Sequence, residues 1–185
     1  MEDEPLQQLV IANTQRWLER AVIGLNLCPF AKAVHAKGQV HFAVSLSETP
    51  QDILDDFDAE LAALAAAAPL ERDTTLLMLP YALADFLAFN DFLGRCEKRI
   101  RRQDLEGVIQ LAHFHPDYCF ADAQPEDPAN YTNRAPYPTL HLLREDSIAR
   151  AVAAFPDAAS IYEANIRRLR ELGEQGWREL GTGRT

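Results

Sequence analysis

The sequence predicts an α/β fold in which a mostly parallel sheet of about four strands is flanked by helices, with extra helices at the N- and C-terminal ends. Three observations carry this. Short apolar runs alternate with longer segments of helical period through the middle of the chain, the order strand, helix, strand, helix, strand of a sheet wrapped by helices. The chain has 185 residues, near the size of one ordinary domain. Its composition, 48% hydrophobic and 25% charged, is that of a chain able to bury a core. No internal repeat, low-complexity tract or long linker divides it. Residues 1–185 therefore read as a single α/β domain, with about 5–173 as the packed core.

The elements follow in order. From about Pro5 to Gly24, the residues Leu6, Val10, Asn13, Trp17 and Ala21 recur by threes and fours, one stripe of a helix that Gly24 is suited to stop. Pro29 is favoured in a first helical turn, so a short helix starts after Cys28 and runs to about Ala36, ended by Gly38. Val40, Phe42, Val44 and Leu46 alternate with His41, Ala43 and Ser45, the period of a strand. Thr49-Pro50-Gln51-Asp52 opens a helix whose apolar face continues through Phe57, Leu61 and Leu64 until Pro69. Thr74 to Leu79 is apolar on both faces, which suggests a strand covered on both sides. A helix from about Ala82 to Gln103 leads to a buried strand over Gly107 to Phe114. A fourth strand, Thr139 to Leu143, precedes helices at about Asp146–Phe155 and Asp157–Leu172.

The formal charge of −10 opposes non-specific binding to nucleic acid or to anionic membranes, so neither is expected as a partner. The run Lys98-Arg99-Ile100-Arg101-Arg102 falls at a helix end, where cations favour the negative end of the dipole, and reads as a solvated helix terminus. Three widely spaced cysteines without a CxxC pair suit a reducing cytoplasm. No apolar stretch approaches the roughly 18 residues a membrane span needs, and the acidic segment Met1 to Pro5 lacks the pattern of a signal peptide.

Between His115 and Pro138 the hydrophobic rhythm stops, and Pro, Asp, Asn and Tyr dominate. Loops this long in compact domains are usually functional or disordered. Its aromatics Tyr118, Phe120, Tyr131 and Tyr137 argue for one that packs. It also leaves the carboxyl end of a strand, where open α/β sheets bind ligands. Arg134 offers a planar fork for carboxylate or phosphate, with Asn130, Tyr131, Asn133 and Tyr137 around it as hydrogen-bonding groups. The alternative is that Arg134 pairs with Asp127 or Glu126 and pins the loop.

Cys28, read at the start of a helix, would lie near the positive end of its dipole, with Lys32 one turn on, a setting that favours thiolate and a nucleophilic role. The alternative is that it is a small buried apolar residue among Leu25, Leu27 and Phe30, as free cysteines usually are. His113, His115, Asp117 and Cys119 recur at every second residue of a strand end, which puts His113 and His115 on one face. With His141 they form a candidate metal set, although Pro116 interrupts the series and no second ligand cluster stands nearby. The expectation is therefore no metal, with His115 as a general acid/base or a donor to an anion. Cys96, Phe86, Phe89, Phe92 and Trp17 fall on helical stripes and read as core.

At LNLCPFA (Leu25–Ala31), FHPDY (Phe114–Tyr118) and NYTNRAPYPTLHLLRE (Asn130–Glu145) the chain resembles a bacterial family catalogued as domain of unknown function 1415. The resemblance covers nearly the whole chain and implies a compact bacterial protein of about this size. It supplies no activity, substrate or catalytic residue. Locally, Cys28-Pro29-Phe30-Ala31 is similar to the active-site tetrapeptide of omega-class glutathione transferases, and Tyr137-Pro138-Thr139 resembles the proline turn that faces the cysteine in thioredoxin-like folds.

Three functions follow from these residues. One is a small-molecule enzyme with an anion-holding site beneath the loop 115–138, in which Arg134 holds a small anionic molecule, His115 moves a proton and Cys28 acts as nucleophile. Another is a non-catalytic ligand-binding or regulatory module using the same pocket. The last is a thiol-dependent, thioredoxin-like or glutathione-transferase-like, redox protein centred on Cys28. The residues name no cofactor and leave the oligomeric state open. An enzyme of the first kind needs Cys28 within reach of His115 or Arg134.

Overall fold

The computed structural model describes residues 3–154 and 158–185, the side chains of 158 and 159 excepted. Helix α1 (Asp3–Trp17) carries the predicted stripe, and buries Val10, Asn13, Thr14 and Trp17. It continues without a break as a π-helix over Leu18–Ile23, in which the Gly24 N–H reaches Glu19 O at 2.9 Å and the Leu27 N–H reaches Val22 O at 2.8 Å. Each bond spans five residues, so the helix is locally wider than an α-helix, a feature found mostly as short insertions at functional positions. Gly24 follows the π-helix in right-handed geometry, and glycine is required there because a Cβ would lie 2.2 Å from the carbonyl oxygen of Arg20.

The remaining elements are α2 (Ala31–Ala36), β1 (Val40–Val44), α3 (Pro50–Ala66), β2 (Thr74–Met78), α4 (Phe86–Arg102), β3 (Ile109–Phe114), a 3₁₀ turn (Pro128–Asn133), β4 (Thr139–Arg144), α5 (Glu145–Ala154) and α6 (Ala158–Glu179). Thr49 caps α3 by accepting from the Asp52 N–H, and Asp85 caps α4 by accepting from the Ala88 N–H. The expected helix end at Phe155 and helix start at Asp157 lie outside the described residues. The expected stop at Leu172 precedes a left-handed residue, Gly173 (φ 67°), that interrupts α6. Arg99 pairs with Asp58 at 2.7 Å, while Lys98, Arg101 and Arg102 are exposed at the end of α4. Among the described residues no helix is long and apolar enough to cross a membrane.

The four strands form one sheet in the order β1-β2-β4-β3. β1 and β2 are parallel, but β4 runs antiparallel to both β2 and β3. The fold is α/β as expected, whereas the sheet is mixed and not mostly parallel. The reason lies in the connections. Helices α3 and α4 return the chain to the starting end, so β1, β2 and β3 point one way. The loop 115–138 contains no such crossover; it leaves and re-enters at one end, so β4 slots between β2 and β3 in the opposite sense.

Both faces of the sheet are covered, because side chains alternate along each strand. Leu77, Leu79, Leu140 and Leu142 pack with Phe57 and Leu61 of α3 and Phe89 and Leu93 of α4. Leu76 and Met78 pack on the other face with Val10, Trp17 and Ala21. The run Leu76–Leu79 is apolar on both faces for this reason, and each fully buried Leu or Phe stabilises the fold by roughly 1.5–3 kcal/mol.

Candidate functional site

The polar groups of the loop 115–138 are largely engaged with the loop itself. Arg134 donates from Nε to Tyr118 O at 3.0 Å and from Nη2 to Pro125 O at 2.8 Å, with its guanidinium 5.1 Å from the centre of the Tyr131 ring. Asn130 is buried, donates to Gln124 O at 2.7 Å and accepts from the Phe120 N–H at 3.0 Å. Asn133 accepts from the His115 N–H through its carbonyl at 3.1 Å. The Tyr137 hydroxyl accepts from Asn13 Nδ2 at 2.9 Å, and Arg184 stacks 4.5 Å above its ring. Asp127, the sequence's suggested partner for Arg134, instead pairs with Arg170 at 2.6 Å, and that guanidinium holds its carboxyl below the usual range.

His115 is fully buried at the exit of β3. Its Nε2 donates to Leu83 O at 3.0 Å, and its Nδ1 accepts from the Asp117 N–H at 3.0 Å. Because a carbonyl can only accept and an amide N–H can only donate, the ring is neutral with both nitrogens engaged. Burial lowers its pKa in the same direction. Leu83 takes a left-handed φ of 55°, uncommon for a bulky residue, and its carbonyl is the one that holds His115.

The histidines do not converge. His113 shares a face with His115 and lies 6.0 Å from the Phe89 ring. His141 is paired across the β3–β4 ladder with Ala112. Directly opposed residues point to one side and neighbours along a strand to opposite sides, so His141 is on the other face of the sheet from His113 and His115. Among the described residues, no group of three His, Cys, Asp or Glu side chains is arranged to hold a metal ion.

Cys28 is also on the far face from His115. It packs with the Val10, Trp17 and Ala21 cluster, so the structure does not bring this thiol to His115. The sequence places it at a helix start, but α2 begins at Ala31 with Phe30 as its N-cap, and Cys28 lies in the turn before. That turn is braced from α6, where Asn165 donates to Leu27 O at 2.7 Å and Arg168 donates to Leu25 O. Lys32 is exposed on α2.

What Cys28 does meet is a cavity. A space of about 210 Å³ lies between the sheet, the π-helix, α2 and α5. Its floor is Val40, Leu76, Phe114, His141 and Leu143, and its walls are Trp17, Leu18 and Val22, then Cys28, Phe30, Ala31 and Val34, and then Ile148, Ala151 and Val152. The lining is almost wholly apolar. Two small residues, Ala31 and Ala151, form part of the lining.

His141 is the imidazole on the cavity floor. Its Nε2 lies 2.7 Å from the hydroxyl of Thr74, a diagonal neighbour on the same face of β2. That hydroxyl in turn donates to Leu142 O at 2.6 Å. The surrounding elements desolvate the ring and push its pKa down to about 4. At the rim, Ser147 donates to Asp73 at 2.5 Å, and Arg144 donates to the carbonyls of Leu64, Ala67 and Arg72. These rim groups hold one another and the end of α3.

Sequence reasoning found Cys28 and His141 but placed them in separate constellations. It missed Thr74, Asp73, Ser147 and the two alanines. A signal was present for one of them: a histidine inside an apolar strand flanked by Leu140 and Leu142 is a polar group that a covered sheet must accommodate.

The model of the family described as "Protein of unknown function (DUF1415)" matches residues 9–179, and the chain belongs to that family. Neither a curated protein nor a solved structure matches it.

Proposed function

We propose that this member of a family without an assigned activity binds a small, mainly apolar molecule in the cavity over His141. One observation carries the reading: an apolar space of about 210 Å³ opens onto a single imidazole in the middle of the sheet. Ligand sites are typically apolar concavities with a few convergent polar groups. A cavity of roughly 150 Å³ lined by apolar side chains is large enough to take benzene, so this one suits a single ring with a short substituent. Retaining such a space costs stability, because lining atoms without partners lose their dispersion contacts.

The loop 115–138 then serves as scaffold, with Arg134 as its internal clamp. A location in the cytoplasm is part of the proposal and is supported by three free thiols. Nucleic acid and anionic membranes remain outside it, on the charge of −10. A thiol-dependent reaction is the second reading, favoured by the position of Cys28 in the wall of the same cavity.

Titration with toluene, followed by amide NMR shifts, tests the binding. The shifts should cluster on Trp17, Val22, His141 and Ile148, and should vanish in an Ala151→Trp variant that retains the native spectrum elsewhere. Shifts scattered over the surface, or unchanged by Ala151→Trp, would place toluene elsewhere and end the proposal.

A further inference from the structure

The chemistry of the cavity floor is more specific than its shape. The Thr74 hydroxyl has one hydrogen and lies 2.6 Å from Leu142 O, which can only accept. The hydrogen is therefore committed to that carbonyl. The second contact of the hydroxyl, 2.7 Å to His141 Nε2, must then be supplied by an N–H on the ring. A backbone carbonyl thus fixes the tautomer through Thr74: Nε2 carries the proton. In a neutral imidazole the other nitrogen, Nδ1, is then a bare acceptor.

Nδ1 has no protein partner among the described residues. Yet no buried side-chain nitrogen or oxygen among them lacks one. Nδ1 is therefore accessible, and the cavity is the space that His141 lines. The ring is also held neutral, since desolvation pushes its pKa to about 4. The charged groups nearest the cavity do not alter this: the Arg144 guanidinium is spent on the carbonyls of Leu64, Ala67 and Arg72, and Asp73 is bonded by Ser147.

We propose that the cavity selects small neutral ligands that donate a hydrogen bond to Nδ1 of His141, of the phenol or azole N–H class, and rejects their carboxylate counterparts. This rests on the cavity being a ligand site. A donor fills the open acceptor while its ring takes the apolar walls. A carboxylate meets a lone pair instead of a donor and would have to shed its hydration without compensation. An apolar ring without a donor leaves Nδ1 dry and unpaired, so it binds in the same space more weakly than a ring that donates.

Three probes of similar size separate the outcomes: toluene, phenol and benzoate, each titrated at pH 7 into the unaltered protein and into His141→Leu. The expected result is that the ratio of phenol to toluene affinity falls about tenfold or more in His141→Leu, and that benzoate fails to bind the unaltered protein where phenol saturates it. Should His141→Leu not fold, ¹⁵N NMR of the unaltered protein decides: the proton should be on Nε2, and phenol should move the Nδ1 resonance. Benzoate binding as well as phenol, an affinity ratio unchanged by His141→Leu, or a proton on Nδ1 would overturn the selectivity while toluene binding left the ligand site standing. If none of the probes binds, the ligand site itself fails and the selectivity with it.

Discussion

Ala151→Leu puts the cavity to a test whose sign, not only its size, is diagnostic. Ala151 lines the cavity from α5, and leucine there directs three further carbons into the space. At about 0.8 kcal/mol per buried methylene, the gain is at most about 2.4 kcal/mol. Alanine and leucine differ little in helix propensity, and ordering the leucine side chain costs about 0.5–1 kcal/mol. The net stabilisation is then about 1.5–2 kcal/mol. For a chain of this size each kcal/mol moves the midpoint by roughly 2–4 °C, so the expected rise is about 3–8 °C. Inserting the same atoms into a packed core costs about 1–3 kcal/mol and lowers the midpoint instead. Calorimetry together with urea unfolding measures it, the urea slope checking that the unfolded state is unchanged. The same variant should bind toluene more weakly than the unaltered protein. A midpoint that falls at constant slope, with toluene binding intact, would refute the presence of an open apolar space beside Ala151.

Further expectations concern groups whose surroundings are equally defined. Arg134→Ala removes two charge-assisted hydrogen bonds to loop carbonyls, partly screened by solvent, and should cost about 1–3 kcal/mol; limited proteolysis should cut within 115–138 faster, and Arg134→Lys should restore only part, because an ammonium lacks the two-pronged geometry. Unchanged cleavage in Arg134→Ala would deny the clamp. His141 titrates near 4 in the fold against 6.5 for a free imidazole, so the unfolded chain takes up its proton first as the pH falls. The stability from His141 is complete above pH 6.5 and is lost between 6.5 and about 4, roughly 3–4 kcal/mol at about 1.4 kcal/mol per tenfold change in proton affinity. Urea midpoints across that window should fall less steeply in His141→Gln, and parallel curves would reject the assignment. Cys96 is fully buried and its thiol is pushed up to about 12, so iodoacetamide should modify Cys28 first, with toluene protecting it. Equal rates for the two cysteines, or no protection, would remove Cys28 from the cavity wall.

The helices and strands were legible because each is written locally. The stripe from Leu6 to Ala21, the Thr49 cap and the doubly apolar Leu76–Leu79 run all report a single element's period or end, and the structure has an element at each. The sheet's sense was not legible. It depends on whether the chain between His115 and Pro138 crosses the sheet or returns to the end it left, and neither hydrophobic period nor turn residues encode that for a loop with only a 3₁₀ turn inside it. The π-helix was hidden for a related reason: Leu18, Ala21 and Val22 suit either helical period, and only the bond from Gly24 to Glu19 tells them apart.

The site was harder, because polarity in a sequence marks groups that need partners without saying who supplies them. The loop 115–138 drew attention through Arg134, Asn130 and His115, residue types common in binding sites. In the fold those groups are answered by Tyr118, Pro125, Gln124, Leu83 and Asp117, mostly through backbone atoms that the side-chain pattern does not reveal. Such density of polar residues is what a long loop without strands or regular helix requires to satisfy its own buried amides. The cavity has the opposite character. Its walls come from the π-helix, α2 and α5, its floor from all four strands, and nearly every lining residue reads as ordinary core. His141 is the imidazole in that lining, and its meaning depends on a hydroxyl 67 positions away and a carbonyl one residue on. A buried apolar site can therefore leave almost no polar trace in a sequence, and the residue to look for is the polar side chain that an otherwise apolar strand has no structural reason to carry.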